Sequence, residues 1–144
     1  MSALLLIEQL LNGLQLGVML FLMSAGLTLI FGVMGLINLA HGSLYMVGAF
    51  AAAAVAAATG SFLLALLASL VAAAVAGALV ELTVMRRLYG RDHLDQVLAT
   101  FALILIFSEA TRWAFGSFPL YLNIPRALSG PVTLPFGIQY PLYR

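Results

Sequence analysis

The chain has 144 residues, 64% of them hydrophobic and only 8% charged, with a mean hydropathy of +1.13. Soluble domains carry roughly 25% charged residues because water-facing surface needs them, so this composition excludes an ordinary soluble globule and calls for lipid. A net charge of +1, with no basic run interleaved with aromatics, lends no support to a nucleic-acid partner, and the lack of Cys excludes a disulfide framework and a thiolate metal site.

Met1–Leu11 has no Lys or Arg and carries Glu8. It therefore lacks the positive n-region of a cleavable signal peptide, and the first apolar segment is expected to stay in the mature protein. A membrane-spanning helix needs about 20 apolar residues. Breakers divide the chain into four segments of that kind, at 4–31, 39–58, 62–85 and 94–115. The expected fold is an all-α polytopic transmembrane bundle over 1–116. On the first segment Glu8, Asn12 and Gln15 fall on one helical face, at i, i+4 and i+7. That face suits either anchoring at headgroup depth or a water-filled interior, and anchoring is the simpler reading.

Between the first and second segments lies Gly32 to Gly42, reading GVMGLINLAHG. Glycines at 32, 35 and 42 weaken helix, and Asn38 suits a helix start, its side-chain oxygen taking an amide three residues on. His41 is the only His, Asp, Glu, Lys or Arg between Glu8 and Glu81. Non-helical backbone at membrane depth is tolerated where it is buried or lines a cavity, and transporters build sites from such broken helices. An interhelical turn at the membrane surface would use the same residues, so both readings stand. On the second and third segments, Gly48, Ala52 and Ala56 and then Ala65, Ser69, Ala73 and Gly77 recur every four residues. Helices in lipid associate where small side chains let backbones approach. These stripes predict close packing of the two segments across the short Thr59-Gly60-Ser61 turn.

Arg86 to Gln96 is the one charge-dense hydrophilic stretch. Arg86, Arg87 and Arg91 place it on the cytoplasmic side by the positive-inside rule. The Thr59–Ser61 turn and the tail then face outside. The N-terminus is also outside if the first two segments both span, and inside if one is re-entrant. Glu81 suits anchoring near the inner interface better than a proton relay. Asp92, Asp95 and His93 read as a solvated loop opening the fourth segment. Glu109 and Arg112 stand at i, i+3, a spacing that allows a pair. Beyond Gly116, five prolines forbid continuous helix, so 117–144 is expected to be a Pro-rich extramembrane loop.

Gly26-Leu27-Thr28 followed by FGVMGLINLAHGSLYMVGAF (Phe31 to Phe50) resembles the N-terminal signature of branched-chain amino-acid ABC transporter permeases. RRLYGRDHLDQVLATFALI (Arg86 to Ile104) is similar to the cytoplasmic loop and following helix of that family. One departure is Arg86-Arg87-Leu88-Tyr89 where the family often reads Arg-Pro-Leu-Arg. Family members continue through further spans. The Tyr140–Arg144 ending resembles the approach to the next one, which implies that the C-terminal half of the permease lies beyond these residues.

The resemblance implies a multi-pass subunit of the bacterial inner membrane that forms a translocation pathway by alternating access. A second permease subunit, two ATP-binding cassette subunits and an extracytoplasmic substrate-binding protein would be its partners. ATP would be held by the partner subunits, with no cofactor or metal and no covalent chemistry on this one. A zwitterionic substrate with an aliphatic tail needs a dipole-rich site and apolar walls. Asn38, His41, Gly35, Gly42 and the broken backbone are candidates for the first, and Met34, Leu36 and Ile37 for the second. Urea, short amides and other amino acids share the signature. Against an enzyme, His41 and Ser43 diverge by about 200° around a helix. Against a channel, no filter sequence or ring-forming charge is evident. A structural membrane subunit remains the other alternative.

Overall fold

The computed structural model describes residues 3–118, 120–121, 130–134 and 138–141. These residues form α1 (Ala3–Met34), α2 (His41–Thr59), α3 (Phe62–Val80), a π turn (Glu81–Met85), α4 (Arg86–Leu88), α5 (His93–Phe115) and the strands β1 (Pro131–Leu134) and β2 (Ile138–Pro141). Among the described residues, four helical stretches are long and apolar enough to cross a membrane: Leu5–Met34, His41–Thr59, Phe62–Leu88 and His93–Phe115. The protein is thus an all-α polytopic membrane fold interrupted near residues 32–42, with one small hairpin added. The chain divides into two compact units, Met1–Gly26 with Ile124–Arg144, and Leu27–Asn123.

In the first unit, β1 and β2 pair antiparallel, with Pro131 opposite Pro141 and Leu134 opposite Ile138. The tail is non-helical where it is described, as its prolines require, but it is more ordered than an extended loop. Pro131 and Pro141 stand at the open end of the ribbon, where the missing donors cost least.

The second unit contains the break and the packed helices. α1 stops at Gly35, whose φ of +62° is the left-handed conformation that favours glycine. The Gly35 N–H donates back to the Phe31 carbonyl at 2.8 Å, closing the helix end. α2 closes the same way at Gly60, with φ +66° and its N–H on the Ala56 carbonyl at 2.9 Å. Ser61 then caps α3, its hydroxyl accepting from Leu64 N–H at 3.4 Å.

α2 and α3 make the most extensive helix–helix packing among the described residues. The closest approach is at Gly48. A Cβ there would lie 3.1 Å from Ser69 Oγ, 3.3 Å from the Ser69 carbonyl oxygen and 3.5 Å from Ala73 Cβ. Gly77 is looser, since its Cβ would meet only Leu44 Cδ1, at 3.7 Å. Ala52, from the same stripe, is partly buried.

The buried core gathers Leu36 and Ala40 from the broken segment with Val80, Met85 and Leu103 from α3, the π turn and α5. The break is therefore plugged into the bundle by apolar side chains, and Leu36 and Ala40 are each only 1% exposed. α2 and α5 also meet further along, where Phe50 stacks on Phe115 with ring centroids 5.0 Å apart. Much of the remaining apolar surface is exposed, including Leu63, Leu67, Leu70 and Val71 on α3, as lipid or further protein would require.

Candidate functional site: a broken helix beside an apolar cavity

Six residues, Gly35 to Ala40, separate the end of α1 from the start of α2. Buried backbone outside a helix must find partners, and in lipid each unpaired group costs several kcal/mol. Asn38 supplies one, but not as the expected helix cap. Its Oδ1 accepts from Ala40 N–H, two residues on, at 3.0 Å. The amide three residues on, His41 N–H, turns to the Asn38 backbone carbonyl at 3.4 Å. Asn38 thus makes a local turn that competes with helix, while Ala40 occupies the cap position of α2 with no side-chain bond.

The other partners come from α5. Gln96 Oε1 accepts from Ile37 N–H at 3.2 Å, and the Thr100 hydroxyl lies 3.5 Å from the Ile37 carbonyl. Both side chains are buried, Gln96 at 3% exposure and Thr100 at 0%. Neither was singled out by hydropathy or motif. The available signal was their i, i+4 spacing near the start of α5, which puts two polar groups on one face.

A cavity of about 400 Å³ adjoins the break, within the volume range of small-molecule pockets. Its walls are mostly apolar (Ile30, Met34, Leu36, Leu44, Val80 and Met85), with Gly77 opening space between them. Three polar side chains reach it: Asn38, Glu81 and Tyr89. Of the residues expected to shape a substrate path, Met34 and Asn38 line this cavity, Gly35 ends α1, and His41 and Gly42 start α2 outside its walls. His41 Nδ1 is buried without a hydrogen-bond partner among the described residues.

Glu81 continues the register of α3, its N–H on the Gly77 carbonyl, and the π turn that follows re-aims Arg86. Five residues apart on an α-helix are about 140° apart in azimuth, so Glu81 and Arg86 would point in different directions. The π turn closes an i→i+5 bond, with Arg86 N–H on the Glu81 carbonyl. It brings Arg86 Nε to 3.8 Å from Glu81 Oε1. Tyr89 donates its hydroxyl to the same carboxylate oxygen and lies 4.0 Å from Met34 Sδ. The bond to Glu81, helped by slight burial and the carboxylate charge, raises the phenol above its ordinary value, so Tyr89 stays a donor. Arg86 and Arg87 belong to the last helical turn of this span rather than to the loop, while Arg91 lies in the loop and donates its N–H to the Leu88 carbonyl at 3.0 Å. At the far end of α5, Arg112 and Glu109 form the pair their spacing allows, at 3.6 Å and well exposed. No group of metal-ligating side chains occurs among the described residues.

Long apolar helices, with buried non-helical backbone between two of them held by a third and lying beside a mostly apolar cavity, form an arrangement that membrane transport subunits use. Residues 9–119 match the family described as branched-chain amino acid transport system, permease component, and the chain belongs to that family. It is similar to the high-affinity branched-chain amino acid transport system permease protein BraD of Pseudomonas aeruginosa. The two are 44% identical over 46 residues, 32% of this chain and 15% of that protein. The permease proteins LivH of Salmonella typhimurium and of Escherichia coli strain K12 are each 38% identical over 52 residues, 36% of this chain and 17% of theirs. The matched stretches thus span only a small part of these relatives. No solved structure matches.

Proposed function

We propose that this chain supplies part of the translocation pathway of an ATP-driven importer for branched-chain amino acids, in the bacterial inner membrane. A second permease subunit, two ATP-binding subunits and an extracytoplasmic binding protein complete the machine, and ATP stays on the partners. The observation that carries the reading is the cavity beside the break, apolar on most of its wall and polar at Asn38, Glu81 and Tyr89. An aliphatic amino acid has matching chemistry. Its branched tail suits Met34, Leu36, Leu44 and Val80, its ammonium suits the Glu81 carboxylate, and its carboxylate suits the Asn38 amide donor. The Arg86–Glu81 contact is long and half-exposed, so an entering ammonium can displace it at little cost. Urea and short amides would leave the apolar wall unused. The Arg-bearing end, 86–91, is cytoplasmic in this reading, and the 117–144 tail lies outside.

Substrate-stimulated ATPase activity and uptake by the full complex in liposomes test it, with leucine, isoleucine, valine, urea and acetamide compared. Aliphatic amino acids should stimulate both activities. Asn38→Leu should lower uptake about tenfold at equal complex abundance, the scale of losing one buried polar contact. In the same vesicles an impermeant thiol reagent should reach Gly90→Cys only from the cytoplasmic face. Stimulation by urea alone would replace the substrate assignment. Full uptake by Asn38→Leu would remove the break from the pathway.

A further inference from the structure

We propose that Gln96 is a positioning residue that latches the loop 89–92 to the broken segment, so that the two move as one body. The inference goes beyond the transport reading, because it concerns a linkage inside the chain that exists whatever is carried. Gln96 uses both ends of its amide across three pieces of chain. Its Oε1 accepts from Ile37 N–H in the break at 3.2 Å and faces His93 Nδ1 at 3.4 Å. Its Nε2 donates to the Leu88 carbonyl and to the Arg91 carbonyl, both at 3.2 Å. Leu88 precedes the loop and Arg91 lies in it, and their own bond of 3.0 Å closes a turn between them. Residue 96 is 59 positions from Ile37 and 8 from Leu88, so one buried side chain joins the break to the basic end of the α3 span.

The residue type matters. Only a side-chain amide offers two acceptor and two donor sites together. Glu keeps the acceptors and loses the donors, Met keeps the volume and loses both, and Asn is one methylene short. Thr100 reinforces the seat. Its hydroxyl donates to the Gln96 carbonyl at 2.8 Å, with the Val97 carbonyl 3.2 Å away, and so ties down the turn of α5 that carries the amide. A side chain that merely satisfied buried backbone would also be buried and bonded. The latch differs in that its two ends can be released separately.

Because the sequence has no Cys, single thiol reporters can be placed at Leu39 in the break, Gly90 in the loop and Val75 on α3, all exposed. Labelling rates are measured in the assembled complex without substrate or nucleotide. Gln96→Met should speed labelling at positions 39 and 90 by roughly five- to tenfold, through local opening, and leave position 75 unchanged. Gln96→Glu keeps the acceptor for Ile37 and loses the donors for Leu88 and Arg91. It should speed labelling at position 90 while position 39 stays near its wild-type rate. Wild-type rates at 39 and 90 in both variants, or equal acceleration at all three reporters, would overturn the latch. Where Gln96→Met does not assemble, the split expected of Gln96→Glu decides alone.

Discussion

The α2–α3 contact and the α5–break contact join chain segments in the same small unit by opposite means. α2 and α3 meet through small side chains, with the backbone of Gly48 pressed against Ser69. The break meets α5 through two buried polar side chains that reach across to its main chain at Ile37. The first contact is van der Waals packing, and at Gly48 it has no room for a larger side chain. The second is a set of directional bonds around non-helical backbone, and it can be undone one bond at a time. A transport subunit needs both kinds, a scaffold that holds and a joint that can be reset.

Substitutions at the two contacts should therefore differ in size and in kind. Gly48→Leu is expected to have the largest effect. With the Ser69 carbonyl already 3.3 Å from a Cβ position, the added side chain cannot be absorbed by rotamer change. The cost should approach about 3 kcal/mol, the upper part of the range for overpacking. Complex abundance in membranes and thermal denaturation in detergent check this, and a wild-type melting temperature would mean that α2 and α3 do not depend on their close approach. Thr100→Val is expected to cost less, roughly 0.5–1 kcal/mol, since its single O–H lies closest to the Gln96 carbonyl of its own helix, at 2.8 Å, and the Ile37 carbonyl is 3.5 Å away. Its abundance should be near normal. Gly77→Ala should be the mildest, within about 0.5 kcal/mol, because its Cβ meets Leu44 at an ordinary 3.7 Å and alanine favours helix. A Gly77→Ala loss as large as that of Gly48→Leu would erase the distinction between the tight and loose ends of the stripe.

These two contacts were also unequally visible in the sequence. Hydropathy and glycine positions located the four long helices and the interruption between the first two, because both signals are local. The Thr59-Gly60-Ser61 turn is visible for the same reason. The Gly48–Ser69 approach follows from four-residue spacing of small residues on neighbouring segments. Gln96 and Thr100 are different, since their bonds reach Ile37, 59 and 63 positions away, and helical periodicity registers only a helix's own faces. The π turn leaves no composition signature, so the contact of Arg86 with Glu81 could not be read from their five-residue spacing. In the tail, proline density hid a hairpin. A β-branched residue on either side of Leu134-Pro135-Phe136-Gly137 was the available hint.

The central claim is that the cavity beside the break receives the substrate. Met34 lines it and is exposed to a reagent, whereas Tyr121 is exposed outside its walls. The most direct measurement is thiol labelling of Met34→Cys and Tyr121→Cys in the transport-competent full complex, with and without saturating leucine. Occupancy of the cavity should slow labelling at position 34 several-fold and leave position 121 unchanged. Equal labelling of Met34→Cys with and without leucine, in a complex whose ATPase still responds to leucine, would place the substrate elsewhere.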